Sequence, residues 1–284
     1  EVTTAAERIA DSTDKLTSAA LNKIKKQENT AYFTFAAGIL RLIWDGCIYE
    51  CGDKELCLGF FSSECRKYAF QAKPVYRYCF ENGCELKNLA ADADILGYLL
   101  DTSSSEYTIE KMCAEYGSPY YDELGENADI ASLPLLCDVM LRKVNDEGME
   151  KLLCEIEQPL TEVLAAMEFY GVRVDADGVR AFGDRLSADI KGIEQQIYFM
   201  AGHEFNIGSP KQLGTVLFEE MGLPAKKKTK TGYSTNADVL EELRGKHDII
   251  DLIIQYRRLT KLNSTYVEGM KPLIGEDGKI RAHF

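Results

Sequence analysis

Between residues 30 and 70 the chain carries three short runs, YFTFAAG, IYECG and LCLGFF, rich in aromatic and β-prone side chains and punctuated by glycine. They predict three strands of an antiparallel meander. From Leu89 the spacing changes: Leu89, Ile95, Leu96, Leu99 and Leu100 can share one helical face, and a further helix is predicted over residues 132–144. Strands followed by helices make an α/β or α+β unit. Beyond Asn145 long amphipathic helices take over. One, over residues 147–169, carries Leu152, Leu153, Ile156, Leu160, Leu164 and Met167 and runs into a strand at GVRVD. Another, over residues 177–200, carries Val179, Phe182, Leu186, Ile190, Ile193 and Ile197 and stops at Gly202. This change of character predicts a first domain over residues 1–147 and a second over 148–284.

Two helix starts bracket the chemically richest segment. Ser209, Pro210 and Gln212 read as a capping box with proline in the first turn, and Ser234 or Thr235 is expected to cap the next helix, with Asp238 behind it. Between them lie Lys226, Lys227, Lys228, Thr229, Lys230, Thr231 and Tyr233. Ammonium groups, hydroxyls and free helix-terminal amides together suit a phosphate backbone better than a base edge. A last helix, over residues 248–270, adds Arg257, Lys261, Ser264 and Thr265 beside an apolar stripe. The bland alternatives are ordinary caps and a solvated lysine loop.

Composition adjusts this picture in three ways. With 284 residues, 45% hydrophobic and 28% charged, the chain is globular and long enough for two domains. No apolar run is long enough to span a bilayer and no leader precedes the first residues, so a cytoplasmic protein is expected; the missing initial Met suggests a piece of something longer. The net charge of -13 argues against a polyanion partner, but the acidic surplus falls almost wholly before Lys151. All nine cysteines lie between Cys47 and Cys154, with no C-x-x-C pair and no histidine before His203, which favours free thiols over zinc.

The segment EFNIGSPKQLGTVLFEEMGLPAKKKTKTGYSTNADVLEEL, with YRRLTKLNSTYVEGMKPLI and DGKIRAHF, resembles the thumb subdomain of the bacterial family A DNA polymerases. Upstream, EQPLTEVLAAMEFYGVRVD resembles the entry to the polymerase domain, and ENGCELKNLAADADILGYLLD resembles part of the 3′-to-5′ exonuclease domain. The resemblance implies an α/β ribonuclease-H-like exonuclease domain followed by a mainly α-helical thumb subdomain. It implies duplex contacts at Asn206, Ser209 and Lys211, at Lys227, Lys228, Thr229, Lys230, Thr231, Tyr233, Ser234 and Thr235, and at Arg257, Lys261, Ser264 and Thr265.

The family's exonuclease holds two metals ~3.5–4 Å apart on carboxylates. At the matching places this chain has Thr34, Ala36, Val75, Ser132 and Leu136, so proofreading is expected to be lost, with no catalytic or metal-binding residue in the segment. Asp92 and Asp94 are expected to be helix-cap residues and not ligands. The expected partner is a primer-template duplex bound without sequence preference, by a monomer and without a membrane. Deoxynucleotides and Mg²⁺ belong to the intact parent polymerase, the palm motifs lying outside the segment. The rival reading is a non-catalytic nucleic-acid or protein interaction module with a degenerate nuclease fold, using the tyrosine-rich acidic stretch over residues 106–126.

Overall fold

A computed structural model describes residues 13–26, 29–225, 228–229 and 232–284, with the backbone alone described at Lys228, Thr229 and Gly232. The chain divides into two compact units, the first comprising residues 1–171 and 282–284 and the second residues 172–281. The expected boundary at residue 147 therefore moves to Gly171. Its cause is the helix Gln158–Tyr170, which packs along Ala72–Glu81 of the first unit through Thr161 and Ala165, side chains small enough to let two helices approach closely.

The first unit is built on a mixed six-stranded sheet. Its strands are β1 (Thr13–Lys15), β2 (Ala31–Ala36), β3 (Ile39–Trp44), β4 (Cys47–Cys51), β5 (Lys67–Phe70) and β6 (Leu89–Asp92), ordered β1-β4-β3-β2-β5-β6. Strands β2 and β4 are the expected runs YFTFAAG and IYECG, but they do not pair with each other: β3, in none of the expected runs, lies antiparallel between them, while β5 pairs parallel to β2 and β6 parallel to β5. Both faces are covered. Phe33, Leu40 and Leu42 pack with Phe60, Phe61 and Val75 on one side; Ile43, Ile48 and Tyr68 pack with Leu96, Met112, Leu133 and Met140 on the other. This two-sided burial explains why apolar runs here outnumber clean alternations.

Helices follow as α1 (Ser18–Lys26), α2 (Lys54–Phe61), α3 (Ala72–Glu81), α4 (Ala93–Leu100), α5 (Ile109–Tyr116) and α6 (Ala128–Asp146). LCLGFF, expected as a strand, is the body of α2: the Asp53 carboxylate accepts from Leu56 N–H at 2.9 Å, and Cys57, Phe60 and Phe61 fall on one helical face. The expected helix from Leu89 starts four residues late, because residues 89–92 complete the sheet and Asp92 then caps α4. The short turn α7 (Glu150–Leu152) passes through a π-helical turn, Leu153–Glu157, into α8 (Gln158–Tyr170). Pro159 has no N–H to offer the preceding turn, which accounts for the irregularity there. The register changes with it: the buried face of α8 is Gln158, Thr161, Ala165 and Glu168, whereas Ile156, Leu160 and Met167 of the expected stripe are exposed.

Lys67 is fully buried, and its ammonium donates to the carbonyls of Ser63 at 2.6 Å, Cys65 at 2.8 Å and Lys87 at 2.9 Å. It thereby closes the loop between α2 and β5 onto the segment entering β6. Burial lowers its titration from 10.5 to about 8.

The second unit is mainly helical. The long helix α9 (Ala176–Ala201) begins at Asp175, whose carboxylate accepts from Gly178 N–H at 2.9 Å, and ends at Gly202 with φ 82°. It packs against α12 (Ile249–Leu262), with the short helices α10 (Pro210–Thr215) and α11 (Ala237–Glu242) completing a core of Ile193, Ile197, Leu213, Leu217, Leu240, Ile250 and Ile253. The expected helix over residues 248–270 loosens after Leu262 into a π-helical segment, Asn263–Glu268. Strand β7 (Val172–Arg173), predicted at GVRVD, pairs antiparallel with β10 (Lys279–Ile280), and β8 (Lys228–Thr229) with β9 (Gly232–Tyr233). Gly183 of α9 faces Val267 so closely that a methyl group added there would lie 2.5 Å from Val267 Cγ1.

Two outcomes follow from these contacts. Replacing Lys67 by Met orphans three carbonyls, and denaturant unfolding at pH 7 is expected to show a loss of ~2–4 kcal/mol. In the wild type the unfolded chain binds the proton more tightly than the folded one between pH 8 and 10.5, so the Lys67 contribution to stability rises with pH across that window. The Met variant lacks that rise. Gly183→Ala is expected to cost ~1–3 kcal/mol by overpacking, while Gly192→Ala on the same helix, with nothing within 4 Å of the added methyl, leaves stability unchanged or raised. Equal effects of the two alanines would refute the close approach.

Candidate nucleic-acid interface

Local sequence builds the first helix start of the second unit as expected. The Ser209 hydroxyl accepts from Gln212 N–H at 3.5 Å, and the Gln212 side chain reaches back to accept from Asn206 N–H at 2.7 Å. Pro210 opens α10, where its missing N–H leaves no donor unpaired. The second start differs from expectation. The cap of α11 is Asn236, whose side chain accepts from Val239 N–H at 3.1 Å. Thr235 is unavailable for that task because it is 3% exposed and bound to Arg257.

Arg257, on α12, donates from Nη1 to the Thr235 carbonyl and from Nη2 to Thr235 Oγ1, the latter at 3.2 Å. Burial lowers its titration from the ordinary arginine value, although it stays cationic at any physiological pH. The guanidinium thus ties the chain after β9 to the middle of α12. Gly214 allows α10 to approach the same segment, the position of a methyl group there lying 3.2 Å from Tyr233 Cβ. Tyr233 in turn packs against Phe218, with ring centroids 5.0 Å apart.

These contacts shape an open cleft of about 650 Å³ lined by Gly208, Pro210, Tyr233, Ser234, Thr235, Asn236, Tyr256, Arg257, Thr260, Lys261 and Ser264. It gathers six of the residues singled out from the sequence: Tyr233, Ser234, Thr235, Arg257, Lys261 and Ser264. Lys261 and Ser264 are exposed at its rim, while Tyr233, Ser234 and Arg257 are half-buried. Asn206, Ser209, Lys211 and Thr265 fall outside its lining, with Asn206, Lys211 and Thr265 exposed on the surface. Lys226, Lys227, Lys230 and Thr231 lie outside the described residues, and Lys228 and Thr229 are described only as backbone paired to Tyr233 and Gly232. Tyr256 and Thr260 line the cleft without having been singled out; their signal was spacing, since both lie within a turn of Arg257. Nearby, His203 Nε2 lies 2.7 Å from Glu220 Oε2, which raises the histidine above its ordinary value.

In the first unit, a cleft of about 370 Å³ opens beside the end of β2, lined by Thr34, Ala36, Arg41, Gln71, Glu126 and Asp129 among others. Of the positions matched to exonuclease carboxylates, only Thr34 and Ala36 line it. Val75 and Leu136 are core residues, and Ser132 is buried with its hydroxyl accepting from Tyr121 N–H at 3.0 Å. Arg41 fills the charged part of the cleft: Nε lies 2.8 Å from Glu50 Oε2, and Nη1 donates to the Glu126 carbonyl at 2.7 Å. No group of three or more His, Cys, Asp or Glu that could hold a metal ion occurs among the described residues. Asp92 is wholly buried, accepting from the N–H groups of Gln71 at 2.9 Å, Ala72 at 2.6 Å and Asp94 at 3.1 Å, and burial raises it to about 7. It is a cap, as expected, and a joint between strand and helix. The tyrosines of the acidic stretch serve the fold: Tyr107 donates to the Asp101 carbonyl at 2.6 Å, and Tyr116, Tyr120 and Tyr121 pack on the core. No described helix is long and apolar enough to cross a membrane.

Comparison with known proteins gives the family. Residues 176–284 match the family described as DNA polymerase family A. DNA polymerase I of Bacillus subtilis is 36% identical over 244 residues, covering 78% of this chain and 28% of that protein. The Geobacillus stearothermophilus enzyme is 40% identical over 223 residues, covering 71% and 26%, and thermostable DNA polymerase I of Thermus thermophilus 40% over 201 residues, covering 68% and 23%. The chain thus spans about a quarter of the length of the curated relatives it matches. Its fold superposes on the POL domain of Pol1 from M. smegmatis, solved in complex with DNA primer-template and dNTP, with a TM-score of 0.77 at 24% identity, covering 96% of this chain and 52% of that one. By sequence and by fold, the chain belongs to the bacterial family A DNA polymerases.

Proposed function

We propose that the second unit is a thumb that grips a primer-template duplex through its sugar-phosphate backbone without reading sequence, within a protein that carries out template-directed DNA synthesis. The observation that carries this reading is the cleft beside α10. It joins a helix start with hydroxyls at Ser234 and Ser264, the aromatic Tyr233 and an exposed ammonium at Lys261, and it holds no array of amide side chains suited to base edges. Arg257 acts from behind, holding Thr235 and thereby Ser234 and Asn236 in place. The solved relative with DNA primer-template and dNTP supports the same assignment. Primer extension itself, with deoxynucleotides and Mg²⁺, is ascribed to the longer protein and to no residue of this chain.

The first unit reads as a ribonuclease-H-like exonuclease fold. Three antiparallel strands continued by two parallel ones, in the order β4-β3-β2-β5-β6, with helices on both faces, support that reading. Two divalent metals do not fit its cleft: a hydroxyl and a methyl stand at Thr34 and Ala36, and the carboxylates of Glu50 and Glu126 are already paired with the Arg41 guanidinium. The unit then acts as a scaffold without proofreading chemistry.

Fluorescence anisotropy with a labelled primer-template tests the grip. Lys261→Ala and Lys211→Ala are each expected to weaken binding and to lower the salt slope by about 0.9 for each phosphate left unneutralised, equally for duplexes of unrelated sequence. Unchanged slopes in both variants, or losses confined to one sequence, would overturn the proposal. Incubating the chain with single-stranded DNA and Mg²⁺ or Mn²⁺ is expected to release no mononucleotide; metal-dependent release that survives repurification would restore a nuclease role to the first unit.

A further inference from the structure

Helix α3 ends in a tight closure. The Cys79 carbonyl accepts from Asn82 N–H at 3.1 Å and from Cys84 N–H at 2.9 Å, and Gly83 takes the left-handed φ of 64° that lets the chain fold back. A bond from the sixth residue to the first is the mark of a Schellman closure, which brings the side chains at its two ends together. Here those ends are both cysteines, near enough that the Cys84 thiol adds to burial in pushing the Cys79 thiol up. Cys79 is 1% exposed, whereas Cys84 is half-buried and reachable from solvent. The Cys84 thiol also lies 3.6 Å from the carbonyls of Leu58 and Glu85, which hold it at the mouth of the turn. Cys51 and Cys57 are a second neighbouring pair, the Cys57 thiol donating to the Cys51 carbonyl at 3.6 Å, but both are buried, so no thiol there offers an entry point.

We infer that Cys79 and Cys84 form a reversible redox dithiol, oxidised to an intramolecular disulfide by small-molecule disulfides of the glutathione class. The exposed thiol reacts first. Cys84 releases its proton to solvent, and the thiolate attacks one sulfur of oxidised glutathione, forming a mixed disulfide and expelling one glutathione thiolate. Cys79 then loses its proton and attacks Cys84 Sγ, forming the protein disulfide and expelling the second glutathione thiolate. Both thiolates take up protons. Two protein thiols are oxidised and one glutathione disulfide is reduced to two thiols, so electrons and protons balance. The backbone closure, with Cys84 N–H 2.9 Å from the Cys79 carbonyl, already spans the joint, so bringing the sulfurs to the ~2.05 Å of a disulfide bond is a matter of side-chain rotation within one turn. Burial raises the Cys79 thiol, which makes the second step the slower one at neutral pH. The residue next to Cys79, Phe80, packs on Phe169 and Tyr170 with centroids 5.9 and 6.4 Å away, so oxidation stiffens the turn that anchors the end of α8.

The test is peptide mapping by mass spectrometry. The whole reduced chain is incubated with oxidised glutathione, its remaining thiols are alkylated, and it is digested without reductant. A cross-linked Cys79–Cys84 peptide that reverts with dithiothreitol is expected, forming about tenfold faster per unit rise in pH below the thiol range. The Cys57→Ser variant should keep the cross-link, and Cys84→Ser should leave Cys79 fully alkylatable. A stable glutathione adduct on Cys84 with Cys79 still free, or both thiols recovered alkylated, would overturn the inference on the wild-type chain alone.

Discussion

A backbone group withdrawn from water must find a hydrogen-bond partner, and at three joints of this chain a buried or half-buried ionisable side chain supplies it. Lys67 offers its ammonium to three carbonyls between α2, β5 and β6. Asp92 collects three N–H groups where β6 and α4 meet the turn into α3. Arg257 holds the carbonyl and hydroxyl of Thr235. None of the three is an ion pair, and each fixes irregular backbone that secondary structure leaves unpaired. The site in the second unit depends on the last, which ties the segment bearing Ser234 and Asn236 to α12.

This division of labour explains what could be read from the sequence. The start of α10 was legible because Ser209, Pro210 and Gln212 are close enough in sequence to satisfy one another. The cap of α11 was not, because choosing among Ser234, Thr235 and Asn236 requires knowing that Arg257, twenty-two residues on, recruits Thr235. Long helices were legible as periodic stripes, yet the buried face of α8 was misjudged. A stripe of Ile156, Leu160 and Met167 looks like a core, whereas close packing against α3 selected Thr161 and Ala165. In LCLGFF, β-prone side chains suggested a strand, but Asp53 supplies a cap and three apolar residues fall on one helical face, so the tertiary setting outweighed propensity.

The two clefts show the same chemistry used in opposite ways. In the first unit the cation is spent: Arg41 is bound to Glu50 and to both the carbonyl and carboxylate of Glu126. In the second unit Arg257 is equally spent, but on neutral groups, so its charge is not cancelled by a carboxylate. Its field therefore adds to that of Lys261 at the mouth of the cleft.

That distinction resolves the conflict between an acidic chain and a polyanionic partner. A net charge of -13 governs behaviour only at distances where counter-ions have not screened it. At physiological salt screening sets in within about 8 Å, so a phosphate at the second cleft would respond chiefly to the groups beside it and little to the sum over the chain. Binding at such a site would rest on the few cations beside it. Its strength should therefore fall with salt as counter-ion release requires, whatever the sign of the whole chain.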